Sequence, residues 1–325
     1  MKAVIYEKYG PPEVLQIKEV DKPIPKNNEI LIKIFATTVN RTDCGLRMAD
    51  PFIARFFTGL FRPKNKILGS ELAGVIEEIG KHVKQFKKGD EVFGLTGNKL
   101  STHSEYICLS EDSSITEKPV NMNYKESAAV CDGAMLAFTY IRKMNLRIGD
   151  GILIYGASGS IGTAGVQLAK YFGAEVTAVC NTKNLDIVKS LGADEVIDYT
   201  KTDYTKIDKT FTFVFDAVGK SSFFKCKKLL KRGGTFFSTD LGNFSQNVFL
   251  SLWTGIFGKL PSGKKVLFPL PRASKEDVNL FKRIIEEGKY KAVIDRIYSF
   301  EDIIQAYKYV ETGQKTGNVV ITLTE

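Results

Sequence analysis

The strongest constraint on this chain is a short stretch where an apolar strand runs into a glycine-rich turn and then a striped helix. Gly151-Ile152-Leu153-Ile154-Tyr155 reads as the strand and Gly156-Ala157-Ser158-Gly159-Ser160-Ile161-Gly162 as the turn. Ile161, Ala164, Gly165, Leu168, Ala169 and Phe172 then recur at helical spacing on one face, and Gly173 ends the helix. Strands are expected over residues 175–180, 195–198 and 212–216, with a helix over 185–191. Strands alternating with helices of this length build a parallel sheet, so the second half is α/β and doubly wound.

The turn fits a dinucleotide fingerprint with alanine at the first glycine position. Gly159 would let the backbone approach a pyrophosphate, and Gly162 would let helix and strand pack closely. The helix N-terminus would present free N–H groups to the anion, so Ser158, Gly159, Ser160, Ile161 and Gly162 are candidate cofactor contacts. Two rival motifs fail. Gly258-Lys259-Leu260-Pro261-Ser262-Gly263-Lys264-Lys265 lacks the Ser or Thr of a P-loop and precedes a strand, not a helix. Gly156 to Ser160 lacks the last glycine of a nucleophile elbow, and both histidines, His82 and His103, precede Ser158.

The residues after the second strand bear on which dinucleotide is bound. An NAD enzyme generally ends that strand with an acid for the ribose hydroxyls. Here it ends Val179-Cys180-Asn181-Thr182-Lys183-Asn184, with no carboxylate before Asp186. Thr182 and Lys183 offer a hydroxyl and a charge suited to a 2′-phosphate, which points to NADPH.

Residues 1 to about 118 differ in texture. The runs at 29–34 and 74–80 are β-branched and bounded by turn residues, and 88–94 reads as a turn into a short strand. Beyond Gly233-Gly234, strands are expected at 235–238, 265–270 and 318–323. Ser299-Phe300-Glu301-Asp302 resembles a capping box opening a helix with Ile303, Ile304, Tyr307 and Val310. Five scattered cysteines without a Cys-x-x-Cys pair argue against a disulfide framework or a zinc knot. No apolar run is long enough to span a bilayer, and the N-terminus lacks a signal-peptide core, so a cytoplasmic protein is expected. The net charge is +9, and the lysines at 225–232 read as the solvent face and end of one helix. Neither a nucleic-acid nor a membrane partner is expected.

At this point the chain resembles the medium-chain dehydrogenase/reductase superfamily, in its zinc-free quinone oxidoreductase branch. The resemblance rests on Val39-Asn40-Arg41-Thr42-Asp43, Gly69-Ser70-Glu71-Leu72-Ala73-Gly74-Val75, Lys88 to Gly94, Tyr155 to Lys170 and Leu191 to Tyr199. It implies a GroES-like β-rich catalytic domain over 1–118 and 292–325, interrupted by a Rossmann NADP(H)-binding domain over 119–291. Zinc-dependent members carry Cys where this chain has Asn40 and Gly-His-Glu where it has Gly69-Ser70-Glu71. The third ligand position falls near Asp132, and the structural zinc lobe is missing, so no metal is expected. Without a metal to hold an alkoxide, the resemblance favours a quinone or another conjugated carbonyl as hydride acceptor, or the double bond of an enal or enone. A dinucleotide-binding protein with little turnover is the alternative from another class.

By the same resemblance, Tyr199 joins Lys183 at the 2′-phosphate. Asn40 and Asp43 line the nicotinamide end with Arg47 nearby, and Asp132 is a candidate proton donor. Relatives usually carry a Thr where this chain reads Gly133-Ala134-Met135. Two greasy stretches, Phe52-Ile53 to Phe61 and Phe249 to Phe257, are expected either as core or subunit contact, or as walls for a small hydrophobic acceptor. A homodimer is expected.

Overall fold

The structure is a computed structural model that describes residues 1–50, 52, 55–242 and 245–323. The chain divides into two compact units, Met1–Asp132 with Ala273–Glu325, and Gly133–Arg272. The first opens with β1 (Lys2–Ile5) and β2 (Gln16–Glu19), paired antiparallel. β3 (Glu29–Val39) is its longest strand, and Ile30, Ile32 and Ile34 are fully buried on it. Then come α1 (Arg41–Met48), α2 (Arg55–Thr58), β4 (Glu71–Ile79), β5 (Glu91–Leu95), β6 (Tyr106–Ser110), β7 (Ser114–Glu117) and α3 (Tyr124–Ala128). α4 (Cys131–Met144) carries the chain from the first unit into the second.

The second unit contains β8 (Gly151–Tyr155), α5 (Ser160–Tyr171), β9 (Glu175–Cys180), α6 (Leu185–Ser190), β10 (Glu195–Asp198) and β11 (Phe211–Asp216). α7 (Phe223–Cys226), β12 (Leu230–Ser238), α8 (Gln246–Phe257) and β13 (Lys265–Leu267) complete it. Its strands lie in the order β10-β9-β8-β11-β12-β13, all pairings parallel. Counted from β8 this is 3-2-1-4-5-6, the doubly wound Rossmann order. The expected stripe of α5 is buried at Ala164, Leu168 and Ala169.

Two expectations need correcting here. Lys231 and Arg232 lie on β12, because α7 is only four residues long and the strand begins at Leu230. β13 stops at Leu267, short of 270; Pro269 has no N–H with which to extend the ladder.

The chain returns to the first unit with α9 (Lys275–Glu286), β14 (Ile294–Ser299), α10 (Ile303–Glu311) and β15 (Asn318–Thr322). The larger sheet runs β14-β15-β3-β4-β5-β7, with β6 also on β3. Residues 119–132 and 273–291, expected in the Rossmann domain, therefore pack with the β-rich unit. Asn318 Nδ2 donates to Ala129 O at 2.8 Å, Asn121 Nδ2 to Ile285 O at 2.8 Å, and Lys282 pairs with Glu117 at 2.9 Å. Helical rhythm shows where a helix is but not which sheet it packs on. At 299–302, Ser299 Oγ accepts from Asp302 N at 3.2 Å and closes a turn ahead of α10, which starts one residue later at Ile303. Among the described residues, no helix is long and apolar enough to cross a membrane.

Candidate functional site

In the second unit, the turn between β8 and α5 is shaped by what its glycines exclude. Gly156 has φ +79°, and a Cβ there would meet Val218 Cγ1 at 2.5 Å. A Cβ on Gly162 would lie 2.1 Å from Gly156 O and 2.7 Å from Ala157 Cα, so only glycine lets α5 sit this close to the turn. Gly159 is different: a Cβ there would meet nothing nearer than 3.7 Å. It caps α5 with extended backbone and no side-chain bond. The first-turn amides of a helix have no intrahelical acceptor, so those of Ser160, Ile161 and Gly162 face a surface kept free of side chains at Gly159. This cradle fits a dinucleotide pyrophosphate. Gly133 serves the same geometry, since a Cβ there would meet Ser160 Oγ at 2.4 Å.

The structure brings Thr182, Lys183 and Tyr199 to neighbouring strand ends. Thr182 and Lys183 form a short 3-10 turn after β9, and Tyr199 follows β10 with its N–H on Cys180 O at 3.0 Å. Tyr199 lies 6.2 Å from the Tyr155 ring, which stacks on Tyr204 at 4.8 Å. One residue that the sequence reading missed sits among them. Asp198, at the end of β10, accepts from Thr182 Oγ1 at 2.6 Å and from Thr200 N and Oγ1 at 2.9 and 2.7 Å. The Thr182 hydroxyl bond, with Thr200 adding to it, holds the Asp198 carboxyl below the usual range. The residues after β9 offer no acid before Asp186, but parallel pairing puts Asp198 beside Cys180. Val218 was also missed. It is placed by Asp216, whose buried carboxylate accepts from Val218 N at 3.2 Å and Ser221 N at 2.8 Å.

In the first unit, Asn40 and Asp43 form a reciprocal capping box that starts α1. Asn40 Oδ1 accepts from Asp43 N at 2.9 Å, and Asp43 Oδ2 accepts from Asn40 N at 3.0 Å. Asp43 Oδ1 accepts from Gly69 N at 3.1 Å, and the residue is fully buried. Burial pushes its carboxyl up to about 7, against the pull of those two backbone bonds. Asn40 Nδ2 reaches Ser70 Oγ at 3.3 Å. Next to Ser70, Glu71 is buried; Thr38 Oγ1 donates to its Oε1 and Asp132 N to its Oε2 at 2.8 Å. Arg47 is fully buried, donating to Gly10 O at 2.8 Å and paired with Glu311. Its contacts are therefore structural, and it does not line an open surface.

The resemblance noted in the sequence is to a family that includes zinc enzymes, so the donors at this site matter. At the three positions where that resemblance puts zinc ligands, the chain has an amide, a hydroxyl and, nearby, a carboxylate, Asn40, Ser70 and Asp132, which do not make the nitrogen and sulfur set of such zinc sites. Among the described residues, no group of three or more His, Cys, Asp or Glu could hold a metal. The two greasy stretches are largely in solvent. Phe52 and Phe56 are exposed, as are Phe249, Leu252, Trp253, Ile256 and Phe257, which corrects the expectation of core; Ile53 lies outside the described residues.

A six-stranded sheet in this order with a bare phosphate cradle, joined to a β-rich unit bearing a buried polar cluster, defines a two-domain dinucleotide-binding protein. Residues 26–142 match the family described as alcohol dehydrogenase GroES-like domain, and 191–321 that described as zinc-binding dehydrogenase. A 2-methylene-furan-3-one reductase of Solanum lycopersicum is 33% identical, the match covering 99% of this chain and 79% of that one. The chloroplastic NADPH-dependent alkenal/one oxidoreductase of Arabidopsis thaliana is 30% identical over the same shares. The quinone oxidoreductase structure from Coxiella burnetii superposes with a TM-score of 0.87 at 25% identity, covering 100% and 99% of the two chains. The chain belongs to the medium-chain dehydrogenase/reductase superfamily, in its quinone-oxidoreductase-like branch.

Proposed function

We propose that this protein is an NADPH-dependent, zinc-independent reductase of quinones or other conjugated carbonyl compounds. One observation carries the reading. Where the resemblance puts metal ligands, this chain has the Asn40–Ser70 hydrogen-bonded pair, 3.3 Å apart, with the buried Glu71 next to Ser70 along the chain. Neutral donors suffice when the developing charge is spread over a conjugated acceptor, and fall short for the localised alkoxide of a simple alcohol. When bound, the reduced nicotinamide supplies the hydride.

The chain's own groups bind and orient. Ser158 to Gly162 hold the pyrophosphate through the first-turn amides of α5, and Thr182, Lys183 and Tyr199 receive the adenosine end. Asn40 offers its amide to the acceptor oxygen; Asp43 keeps Asn40 in place through the capping box. Asp132 is the proton donor of this reading. Burial raises its carboxyl to about 7, so a substantial share of the molecules carries the proton at neutral pH. A homodimer in a reducing compartment such as the cytoplasm completes the proposal, and the five free, buried cysteines support that setting.

The two curated relatives described above carry names of reductases acting on an activated double bond, which favours an enal or enone as a second reading of the acceptor. Following NADPH absorbance against quinones, enones and saturated aldehydes tests both. Consumption with conjugated acceptors, unchanged by a chelator, is expected. Consumption with saturated aldehydes that depends on zinc would overturn the reading, and no consumption with any acceptor would leave a dinucleotide-binding protein without turnover.

A further inference from the structure

α8 in the second unit turns Leu250 and several polar residues toward the core and leaves most of its large apolar residues outside. Its polar side chains face the sheet: Thr254 Oγ1 donates to Val266 O at 2.5 Å, Ser251 Oγ accepts from Phe268 N at 3.1 Å, and Asn247 Nδ2 donates to Asp240 O at 2.9 Å. Asn247 and Thr254 are buried, whereas Phe249 is 67% and Ile256 75% exposed, with Leu252, Trp253 and Phe257 beside them. Folding that leaves this much apolar surface in water marks an interaction face.

The charge around it is as uneven. Between Lys220 and Arg272 the chain carries ten cationic residues and one acidic residue, Asp240, so this segment holds the whole net charge of +9 and the rest is neutral. Arg232, Lys259 and Lys265 line a basin of about 810 Å³ with Trp253 and Phe257. Lys264 donates to Lys227 O, which adds both residues to the same surface.

We propose that α8 and its flanking cations dock on the surface of an anionic lipid bilayer, the helix lying in the headgroup plane. Aliphatic and aromatic side chains enter the acyl boundary while cations meet lipid phosphates, the division of labour of an interfacial helix. Twelve residues reach about 18 Å, so the helix lies on the membrane and does not span it. A two-fold contact with a second copy would set the patch against itself, stacking cations with Asp240 as the sole acid of the segment. Nucleic acid would match the cations but leave Phe249, Leu252 and Ile256 unburied, and neither Leu nor Ile offers a ring for base stacking.

Trp253 is the sole tryptophan of the chain, which makes the test site-specific. Full-length protein is mixed with phosphatidylcholine vesicles with or without phosphatidylglycerol. The expected result is co-sedimentation with the anionic vesicles, a blue shift of Trp253 emission, and quenching by brominated acyl chains. Phe249→Ser with Ile256→Ser should weaken partitioning by about tenfold or more. Lys264→Glu with Lys265→Glu should weaken it and reduce its salt dependence. Three outcomes would overturn the proposal: emission unchanged by anionic vesicles, a shift produced by protein concentration alone, or a shift with single-stranded RNA and none with vesicles. The readout does not involve hydride transfer, so its failure leaves the proposed reductase function intact.

Discussion

The backbone N–H of Asp132 donates to Glu71 Oε2 at 2.8 Å, which ties the first turn of α4 to the first residue of β4. The same carboxylate takes the Thr38 hydroxyl of β3 on its other oxygen. Three elements thus converge on one buried acid, and the Asp43 charge raises the cost of ionising Asp132 and Glu71. Burial is the main cause of the raised Glu71 carboxyl, and the Asp132 charge adds to it. Lys315 opposes this from the residues before β15. Burial lowers its ammonium to about 8, while Asp132 and Glu71 pull it back up.

This cluster makes stability depend on pH in a definite direction. A carboxyl raised in the folded state binds its proton more tightly there than in the unfolded chain, so stability is full at low pH and lost as pH rises through the folded value. For Asp43 that window runs from its ordinary 3.8 to about 7, and Glu71 and Asp132 shift the same way. Lys315 acts oppositely, its penalty fading between about 8 and 10.5. Thermal melts should therefore show Tm falling between about pH 5 and pH 7, and Glu71→Gln should flatten that slope. Equal slopes for the two proteins would remove Glu71 from the account.

The two loop glycines should separate steric from functional need. Gly162→Ala places a Cβ 2.1 Å from Gly156 O, and such overpacking costs about 1–3 kcal/mol, so both Tm and dinucleotide affinity should drop. Gly159→Ala meets nothing within 3.7 Å, so Tm should hold while NADPH binding weakens by about tenfold or more. Calorimetric titration beside a thermal melt reads both. Loss of stability in Gly159→Ala would show that its role is conformational.

How much of this was legible in the sequence depends on distance along the chain. The phosphate turn was readable because strand, glycines and helix follow one another, and each constrains its neighbour within a few residues. The Asn40–Asp43 box lies within the same short range, but its capping role emerged only once α1 was placed. Asp198 escaped because its partner Thr182 is sixteen residues away and only the β9–β10 register joins them. The domain borders shifted for a related reason: α3 and α9 have ordinary helical patterns, and nothing local says which sheet covers them. For α8 the apolar spacing left core, subunit contact and acceptor wall open, and Asn247, Ser251 and Thr254 take the inward face. Periodicity finds two faces without saying which is wet.

Cofactor preference should follow the charges at the ends of β9 and β10. Lys183→Glu is expected to lower the ratio of NADPH to NADH efficiency by about tenfold, the scale of one charge-assisted bond. Asp198→Asn should move the ratio the other way, because it removes a carboxylate from the place proposed for the 2′-phosphate while keeping an acceptor for Thr182. Steady-state kinetics with both nucleotides reads the pair. An unchanged ratio in both variants would place the selectivity elsewhere.

Asn40 and Ser70 form the hydrogen-bonded pair on which the proposed chemistry turns. Asn40 has two jobs: its Oδ1 caps α1, and its Nδ2 reaches Ser70. Ser70→Ala removes only the acceptor that orients the amide, so stability should stay within about 0.5–1.5 kcal/mol of wild type. Activity should fall through kcat, with KM for the acceptor little changed, if the amide acts on developing charge more than on the ground state. Asn40→Ala should lose activity and also about 1 kcal/mol of cap stability, while Asn40→Asp should restore the cap and leave the enzyme slow, because a carboxylate accepts but cannot donate. Stability curves recorded beside kcat and KM separate these cases. A Ser70→Ala enzyme with wild-type kcat, or an Asn40→Asp enzyme with full turnover, would mean that the acceptor oxygen takes its hydrogen bond from another group.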